Sequence, residues 1–391
     1  GTGGGGTATG GGGGSGTGGG LATGGGAATG GGSATDGGPP DLFLPPVIIP
    51  TLRPDGGSLA PTGITAGDVD GDGLLDLVVT GVTVSVLFGD GDGGFSQTVN
   101  VSTAVAARSV LADVDGDGTT DIVTSQSNVN SAGLATLLNR GNRSFAVVRS
   151  TGVVAMQSLF VDGPATAGGL PLLVEEDGAS DRVFVGTLAA DGGFLSQLGV
   201  APGNQPFTLP PSRTFVTARD FTGDGVLDLV VGSPRGGEGT VDWYARTPPN
   251  TFTLVQSSQT LISPIGSAWL GPDVVVHGGL GVTAAHRLDG GVPSFNVPLR
   301  SEFVSALEVG DVTGDGRPDV VVTRRPNTLP GGAVLVLSDA RQPGDFEIVS
   351  TSPNTGDGPT VVVLADLNRD ARLDVVVGAS IGRSLRIYLQ R

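Results

Sequence analysis

Five nine-residue stretches of this chain begin and end on aspartate, and each runs straight into a short apolar segment. They read DVDGDGLLD from Asp68, DVDGDGTTD from Asp113, DFTGDGVLD from Asp220, DVTGDGRPD from Asp311 and DLNRDARLD from Asp366; the segments after them are LVV, IVT, LVV, VVV and VVV. Recurrence of this kind constrains a fold more than any single motif, because each repeat is one unit that buries its apolar face only against its neighbours. The starts lie 45, 107, 91 and 55 residues apart, so a period near 50 leaves two units without the loop. One sits near Asp162 (LFVDGPATAGGLPLLVEE) and the other near Asp273 (AWLGPDVVVHGG), which makes seven units.

A second marker agrees with that count. A Phe follows a turn-like stretch after the third apolar run of each unit, at Phe95, Phe145, Phe194, Phe252, Phe295 and Phe346, with intervals of 50, 49, 58, 43 and 51. One period before Phe95 falls near Phe43, ahead of any aspartate loop, whereas the last unit stops after three runs (TVVVLADL, LDVVVGA, SLRIYLQR). Short runs rich in Val, Leu, Ile and Thr, set between Gly, Asp, Asn and Pro clusters, read as strands, and helical periodicity is nearly absent. The expectation is an all-β fold: a seven-bladed β-propeller of four-stranded blades over residues 41–391, its ring closed by residues 41–53 beside residues 361–391. Closure removes exposed sheet edges, whereas a linear solenoid needs capping repeats at both ends.

Residues 1–40 differ in kind, with 22 glycines, one charge at Asp36 and nothing larger than Leu21. Such a segment buries too little to offset the entropy of ordering, so it reads as a flexible tether; the rival reading is an ordered arm that threads a neighbouring subunit.

The aspartates call for a cation. Ca2+ takes six to eight oxygens at about 2.3–2.6 Å, and a tight loop supplies them from alternate positions. In DVDGDGLLD the side chains at positions 1, 3, 5 and 9 converge, the carbonyl of position 7 adds an oxygen, and Gly at position 6 permits the sharp turn. Asp-Gly turns between strands are common, but a solvated turn does not require five such loops in register with the ninth Asp in each. An EF-hand is excluded, because position 12 is Val79, Thr124, Val231, Val322 or Val377 rather than a bidentate Glu.

The pattern DVDGDGLLDLVV, with the LFGDGDGGF that follows it, resembles the FG-GAP (VCBS-like) repeats of the integrin alpha-subunit propeller and of many bacterial surface proteins, over residues 41–391. The resemblance implies that each loop joins the first two strands of a blade and binds Ca2+ on one face of a seven-bladed ring. Position by position it implicates Asp68, Asp70, Asp72 and Asp76; Asp113, Asp115, Asp117 and Asp121; Asp220, Thr222, Asp224 and Asp228; Asp311, Thr313, Asp315 and Asp319; and Asp366, Asn368, Asp370 and Asp374. That is about five ions, with none in the third and fifth units.

The totals narrow the partners. A net charge of −17 argues against nucleic acid and anionic membrane and for cations. No apolar run approaches the roughly 20 residues of a membrane span. With no Cys there are no disulfides, and with no Lys a phosphate-cradling loop lacks its lysine. The chain begins at Gly1 without Met, which suggests processing and a signal peptide already removed.

No catalyst is expected. His277 and His286, nine residues apart around a turn, fit neighbouring strands and lack a surrounding carboxylate pattern. GASIG at Gly378–Gly382 matches G-x-S-x-G, but only nine residues follow it, too few for a helix and a catalytic His. Trp243, Tyr244 and Trp269 read as packing between blades before sugar platforms, and Asn100 and Asn142 open N-x-S sequons. The expected role is an extracellular, calcium-stabilised structural or adhesive protein that self-associates head to tail through its glycine arm. The runner-up is a surface-tethered module that binds a glycan or protein on a propeller face.

Overall fold

Every apolar run that follows a ninth-position aspartate is short and rich in β-branched residues, and in the computed structural model of the chain each is a strand. Asp76–Thr80, Asp121–Gln126 and Asp374–Ala379 are buried at every position. Continuous burial, rather than alternation, is what a strand covered on both faces requires. The structure describes residues 42–51, 56–57, 59–101, 105–126, 133–150, 156–164, 166, 169–176, 182–196, 206–210, 213, 215–235, 238–248, 250–260, 264–270, 274–287, 296–325, 333–339, 346–353 and 358–391. The expectations for the glycine arm, Asp273 and Phe295 lie outside the described residues.

In chain order the strands are β1 (Val47–Pro50); β2 (Gly63–Gly67), β3 (Asp76–Thr80), β4 (Val84–Gly89) and β5 (Phe95–Val101); β6 (Ala106–Ala112), β7 (Asp121–Gln126), β8 (Gly133–Asn139) and β9 (Phe145–Ser150). Then come β10 (Met156–Val161), β11 (Leu170–Glu176), β12 (Arg182–Leu188), β13 (Phe194–Ser196) and β14 (Phe207–Thr208); β15 (Phe215–Arg219), β16 (Asp228–Arg235), β17 (Glu238–Thr247) and β18 (Thr251–Thr260). The last are β19 (Pro264–Trp269), β20 (Val274–Arg287), β21 (Asn296–Gly310), β22 (Asp319–Arg325), β23 (Ala333–Asp339), β24 (Phe346–Pro353), β25 (Pro359–Ala365), β26 (Asp374–Ala379) and β27 (Ser384–Tyr388). Among the described residues there is no helix, and so none long and apolar enough to cross a membrane.

The fold is an all-β propeller of antiparallel sheets, and its blades differ from those expected. Five sheets are blade-sized: β2–β5, β6–β9, β15–β18 and β1 with β25–β27 have four strands, and β10–β13 with β14 has five. The sixth, β19–β24, has six. Seven separate four-stranded blades are therefore not what the described residues form. The departure arises at β20 and β21, which run for 14 and 15 residues and pair through Leu280↔Phe303 and Thr283↔Val297, while β21 continues against β22. A strand that carries on past the point where other units turn leaves no edge to end one sheet and begin another. In the five-stranded sheet, β13 and β14 share one edge of β12, opposite Gly186–Leu188 and Arg182–Val183 respectively.

The marker phenylalanines hold one register position. Phe95 lies opposite Gly89, Phe145 opposite Asn139, Phe194 opposite Leu188, Phe252 opposite Arg246 and Phe346 opposite Asp339. Phe43 lies opposite Gln390, and β1 then runs beside β27 from Val47↔Ile387 to Pro50↔Ser384.

Neighbouring sheets bury their faces on one another. Val86 and Phe88 meet Ile122 and Leu137; Val123 and Leu138 meet Leu172 and Phe184; Leu173 meets Leu229 and Val231. Val321 and Val336 meet Val375 and Tyr388, and the last sheet packs on the first through Leu77, Val79, Val376 and Ile387. Strands of neighbouring sheets touch one another, β2 against both β6 and β25. Four of the five aspartate loops lead from an edge strand of a sheet to its neighbour (β2–β3, β6–β7, β15–β16 and β25–β26), and the fifth joins β21 to β22 inside the six-stranded sheet.

Candidate cation loops

The ninth aspartate is the best-fixed group of each loop. Asp76, Asp121, Asp228, Asp319 and Asp374 are completely buried, each at the first residue of the strand that follows its loop. Asp76 Oδ2 accepts the Val69 N–H at 2.8 Å and its Oδ1 the Gly89 N–H at 2.9 Å. Asp121 does the same with Val114 and Asn139, and Asp374 with Leu367 and Gln390. Asp228 takes Phe221 and Thr222 on one oxygen and Arg246 on the other, and Asp319 Oδ2 takes Val312 and Thr313. In four of the five loops, those of Asp76, Asp121, Asp228 and Asp374, this carboxylate thus staples the loop to the end of the next strand but one, a structural task additional to any ion.

The first and fifth aspartates shape the turn. Asp68 Oδ1 accepts the Gly71 N–H at 2.7 Å and Oδ2 the Gly73 N–H at 2.9 Å, while Asp72 Oδ1 accepts from Leu74 at 2.8 Å. The N–H groups at positions 4 and 6 face the first aspartate because both residues adopt left-handed backbone angles, φ 79° at Gly71 and 81° at Gly73. The last loop keeps that conformation without glycine, at Arg369 (φ 61°) and Ala371 (φ 64°).

Two of the five expected ligand sets gather three carboxylates. Oxygens of Asp68, Asp70 and Asp76 lie within 4.8 Å of one another, as do oxygens of Asp113, Asp115 and Asp117. Oxygens sharing one ion at about 2.3–2.6 Å can be no more than about 5 Å apart, so both trios fit a hard cation. Asp72 and Asp121 stand outside them. Among the described residues no such trio forms from Asp220, Asp224 and Asp228, from Asp311, Asp315 and Asp319, or from Asp366, Asp370 and Asp374. Their third positions are not acidic: the Thr222 hydroxyl donates to Asp228 and the Asn368 amide to Asp370. Thr313 Oγ1 is buried with no hydrogen-bond partner among the described residues, an oxygen left to spare at that loop.

Electrostatics point the same way. Burial raises the carboxyls of Asp76, Asp121 and Asp374 above their ordinary range against the pull of backbone N–H groups, and nearby loop aspartates push them further up. Asp117 is held below its ordinary value by the hydroxyl and N–H of Thr119. Asp220 is also low: burial acts to raise it, but the N–H groups of Gly225, Gly223 and Asp224 outweigh that.

Arginines reach two of these carboxylates and also Asp162 of the third unit, a feature the repeat alignment does not reveal. Arg143 Nε donates to Asp70 Oδ2 at 2.8 Å, Arg140 pairs with Asp115 at 3.0 Å, and Arg246 Nη2 donates to both oxygens of Asp162 at 2.6 Å. Asn139 and Gln390 reach back to the Val69 and Val312 carbonyls, at 2.6 Å each. Asn139 and Arg246 each stand six residues before a marker Phe, a polar residue at a strand end, and that spacing was the available signal.

The remaining motifs lie in strands and in a turn between strands. His277 is fully buried, and it shares β20 with His286 instead of facing it from a neighbouring strand. Ser380 lies in a strand-to-strand turn with its hydroxyl on the Gly358 carbonyl at 3.0 Å, where a nucleophile elbow would open a helix. Trp243 is buried edge-on between Phe221 and Trp269, at ring distances of 5.3 and 5.7 Å.

An FG-GAP-like repeat model matches residues 68–124 and 311–377, and an FG-GAP repeat model matches residues 213–242. No curated protein matches the chain by sequence. Among solved structures, BBS1N in complex with ARL6DN is similar with a TM-score of 0.60 at 13% identity, over 90% of this chain and 97% of that one. A streptogramin B lyase scores 0.55 at 12% identity, over 88% and 97%. Saccharomyces cerevisiae Sqt1 scores 0.56 at 11% identity, over 90% and 99%. At these identities the likeness shows the fold alone.

Proposed function

The chain carries repeats of the FG-GAP family, and on that premise we propose that it is an extracellular scaffold, stabilised by Ca2+, whose role is structural or adhesive and not catalytic. The observation that supports this best is the gathering of Asp68, Asp70 and Asp76, and of Asp113, Asp115 and Asp117, within a spacing that one ion spans. The five loops hold seventeen aspartates, four in each of the first two and three in each of the others, so five ions would take the net charge from −17 to −7. Bound there, Ca2+ supplies the positive charge that the clustered carboxylates lack. With a dissociation constant of roughly 10⁻⁴ M, about 1 mM Ca2+ adds about 1.4 kcal/mol per site, or about 7 for five. That is comparable to a domain's whole stability of about 5–15 kcal/mol. Chelation is therefore expected to lower the melting temperature markedly; an unchanged melt in EDTA would end the calcium reading.

Residues 1–40 are the proposed connector. Fully extended, a segment of 40 residues reaches about 130–140 Å, enough to enter the next subunit, and a head-to-tail contact that does not close produces filaments. Removing this segment is expected to abolish assembly in negative-stain images while leaving the melt intact. Assembly that survives the deletion would reassign the segment as a tether, and the propeller as a module that recognises a glycan or protein on one face.

A further inference from the structure

Arg143 belongs to the turn between β8 and β9, yet its side chain lies on the loop of the preceding sheet. Its guanidinium sits 4.4 Å from the centre of the Phe88 ring, donates through Nε to Asp70 Oδ2 at 2.8 Å, and comes within 3.9 Å of Asp72. Nη1 donates to Ser96 Oγ at 3.2 Å and Gln97 Oε1 at 3.3 Å. The turn that presents it has left-handed angles at Asn142 (φ 50°), which Asn tolerates, and at Arg143 (φ 58°), which a long side chain disfavours. Asp70 is one of the three carboxylates gathered in the first loop.

The third unit shows the end point of such an arrangement. Asp162 stands where the other loops begin, and Arg246 of the following sheet binds both its oxygens, with only 2% and 7% of the two side chains exposed. There a guanidinium takes the place that a cation would fill. At the first loop Arg143 is 26% exposed, and so borders solvent where Arg246 does not.

Resting on the calcium reading, we propose that Arg143 is a tethered competitor for the first loop: guanidinium and metal ion exclude each other at Asp70, so the first site is weakened and its filling releases the second sheet's arginine from the first sheet. The reason is charge. A divalent ion among Asp68, Asp70 and Asp76 repels a fixed guanidinium one carboxylate away, and the loss of its Asp70 bond adds to the cost of ion binding.

Calorimetric Ca2+ titration of the full chain and its Arg143→Gln variant tests this, together with melting curves in EDTA and in 5 mM Ca2+. The variant is expected to bind at one site roughly three- to tenfold more tightly, with unchanged stoichiometry. It should melt lower than the parent in EDTA and as high as or higher than the parent in Ca2+, a crossing that a purely structural arginine would not produce. Arg143→Lys, which keeps the charge but loses the fork, should fall between the two and serves if the Gln variant folds poorly. Site affinities within twofold of the parent, or a lower melt in both conditions, would overturn the proposal. A parent chain that takes up no Ca2+ at all would instead overturn the calcium reading beneath it.

Discussion

Arg369 and Ala371 occupy positions that the other four loops give to glycine, and they keep the glycine conformation. A left-handed residue with a side chain costs about 1–2 kcal/mol, part of which is returned by a stiffer unfolded chain. Ala371→Gly is therefore expected to raise stability by about 0.5–1 kcal/mol, and Gly118→Ala, at φ 85° with open space around a new Cβ, to lower it by a similar amount; urea denaturation measures both. The departure from glycine is visible in DLNRDARLD, but its conformational consequence is not, because the N–H groups of Asp370 and Ala371 are bound by Asp366. Glu308 is a second residue-scale case. On β21, which packs against β19 and β25, burial pushes its carboxyl up to about 7, against a partial pull from Arg108. A folded-state value above the unfolded one means that the native protein holds the extra proton. The contribution of Glu308 to stability is then fully present below about pH 4.5 and is lost as pH rises through 7, an amount on the order of 3 kcal/mol. Glu308→Gln should flatten that slope in melts taken across the same range; an unchanged slope would place its source elsewhere.

At the scale of the element, the ninth aspartate joins three strands and not only an ion to a loop. Asp121 binds the N–H of Val114 in its own loop and of Asn139 at the end of β8, and the Asn139 side chain reaches the Val69 carbonyl of the preceding sheet. Asp121→Ala leaves two N–H groups without their acceptor and is expected to cost about 2–4 kcal/mol even in EDTA, where no ion contributes. A loss confined to calcium-containing buffer would make that aspartate a ligand and nothing more. Spacing alone identifies this residue, since the ninth position, like the first and the fifth, is Asp in all five loops. Its second task was not legible, because its partners at Gly89, Asn139, Arg246 and Gln390 come from a third strand brought alongside by sheet pairing. The reach of Asn139 and Arg143 across an interface is further still from the sequence, since it depends on how one sheet stacks on the next.

For the whole molecule, the N-terminal strand and the glycine arm should behave oppositely. Phe43 and Thr51 are buried and β1 covers the edge of β27, so a chain lacking residues 1–51 is expected to melt about 5–10 °C lower, whereas one lacking only residues 1–40 melts with the parent. Equal melts for the two truncations would show that β1 contributes little to the propeller. The all-β class, the strand-by-strand period and the loops that open each second strand were readable from the chain, because short β-branched runs and Asp-Gly turns act locally. The division into sheets was not. Whether two repeats become two blades or one six-stranded sheet depends on whether β20 and β21 find continuous partners, and those pairings link residues such as Leu280 and Phe303 whose own neighbourhoods carry no mark of it. The same holds for the loops. Repetition proposed five equivalent sites, but packing brought three carboxylates together in only two of them, set Arg143 and Arg140 on those two and paired Asp162, outside the five, with Arg246, because charge balance between stacked sheets is settled across neighbours and not within a repeat.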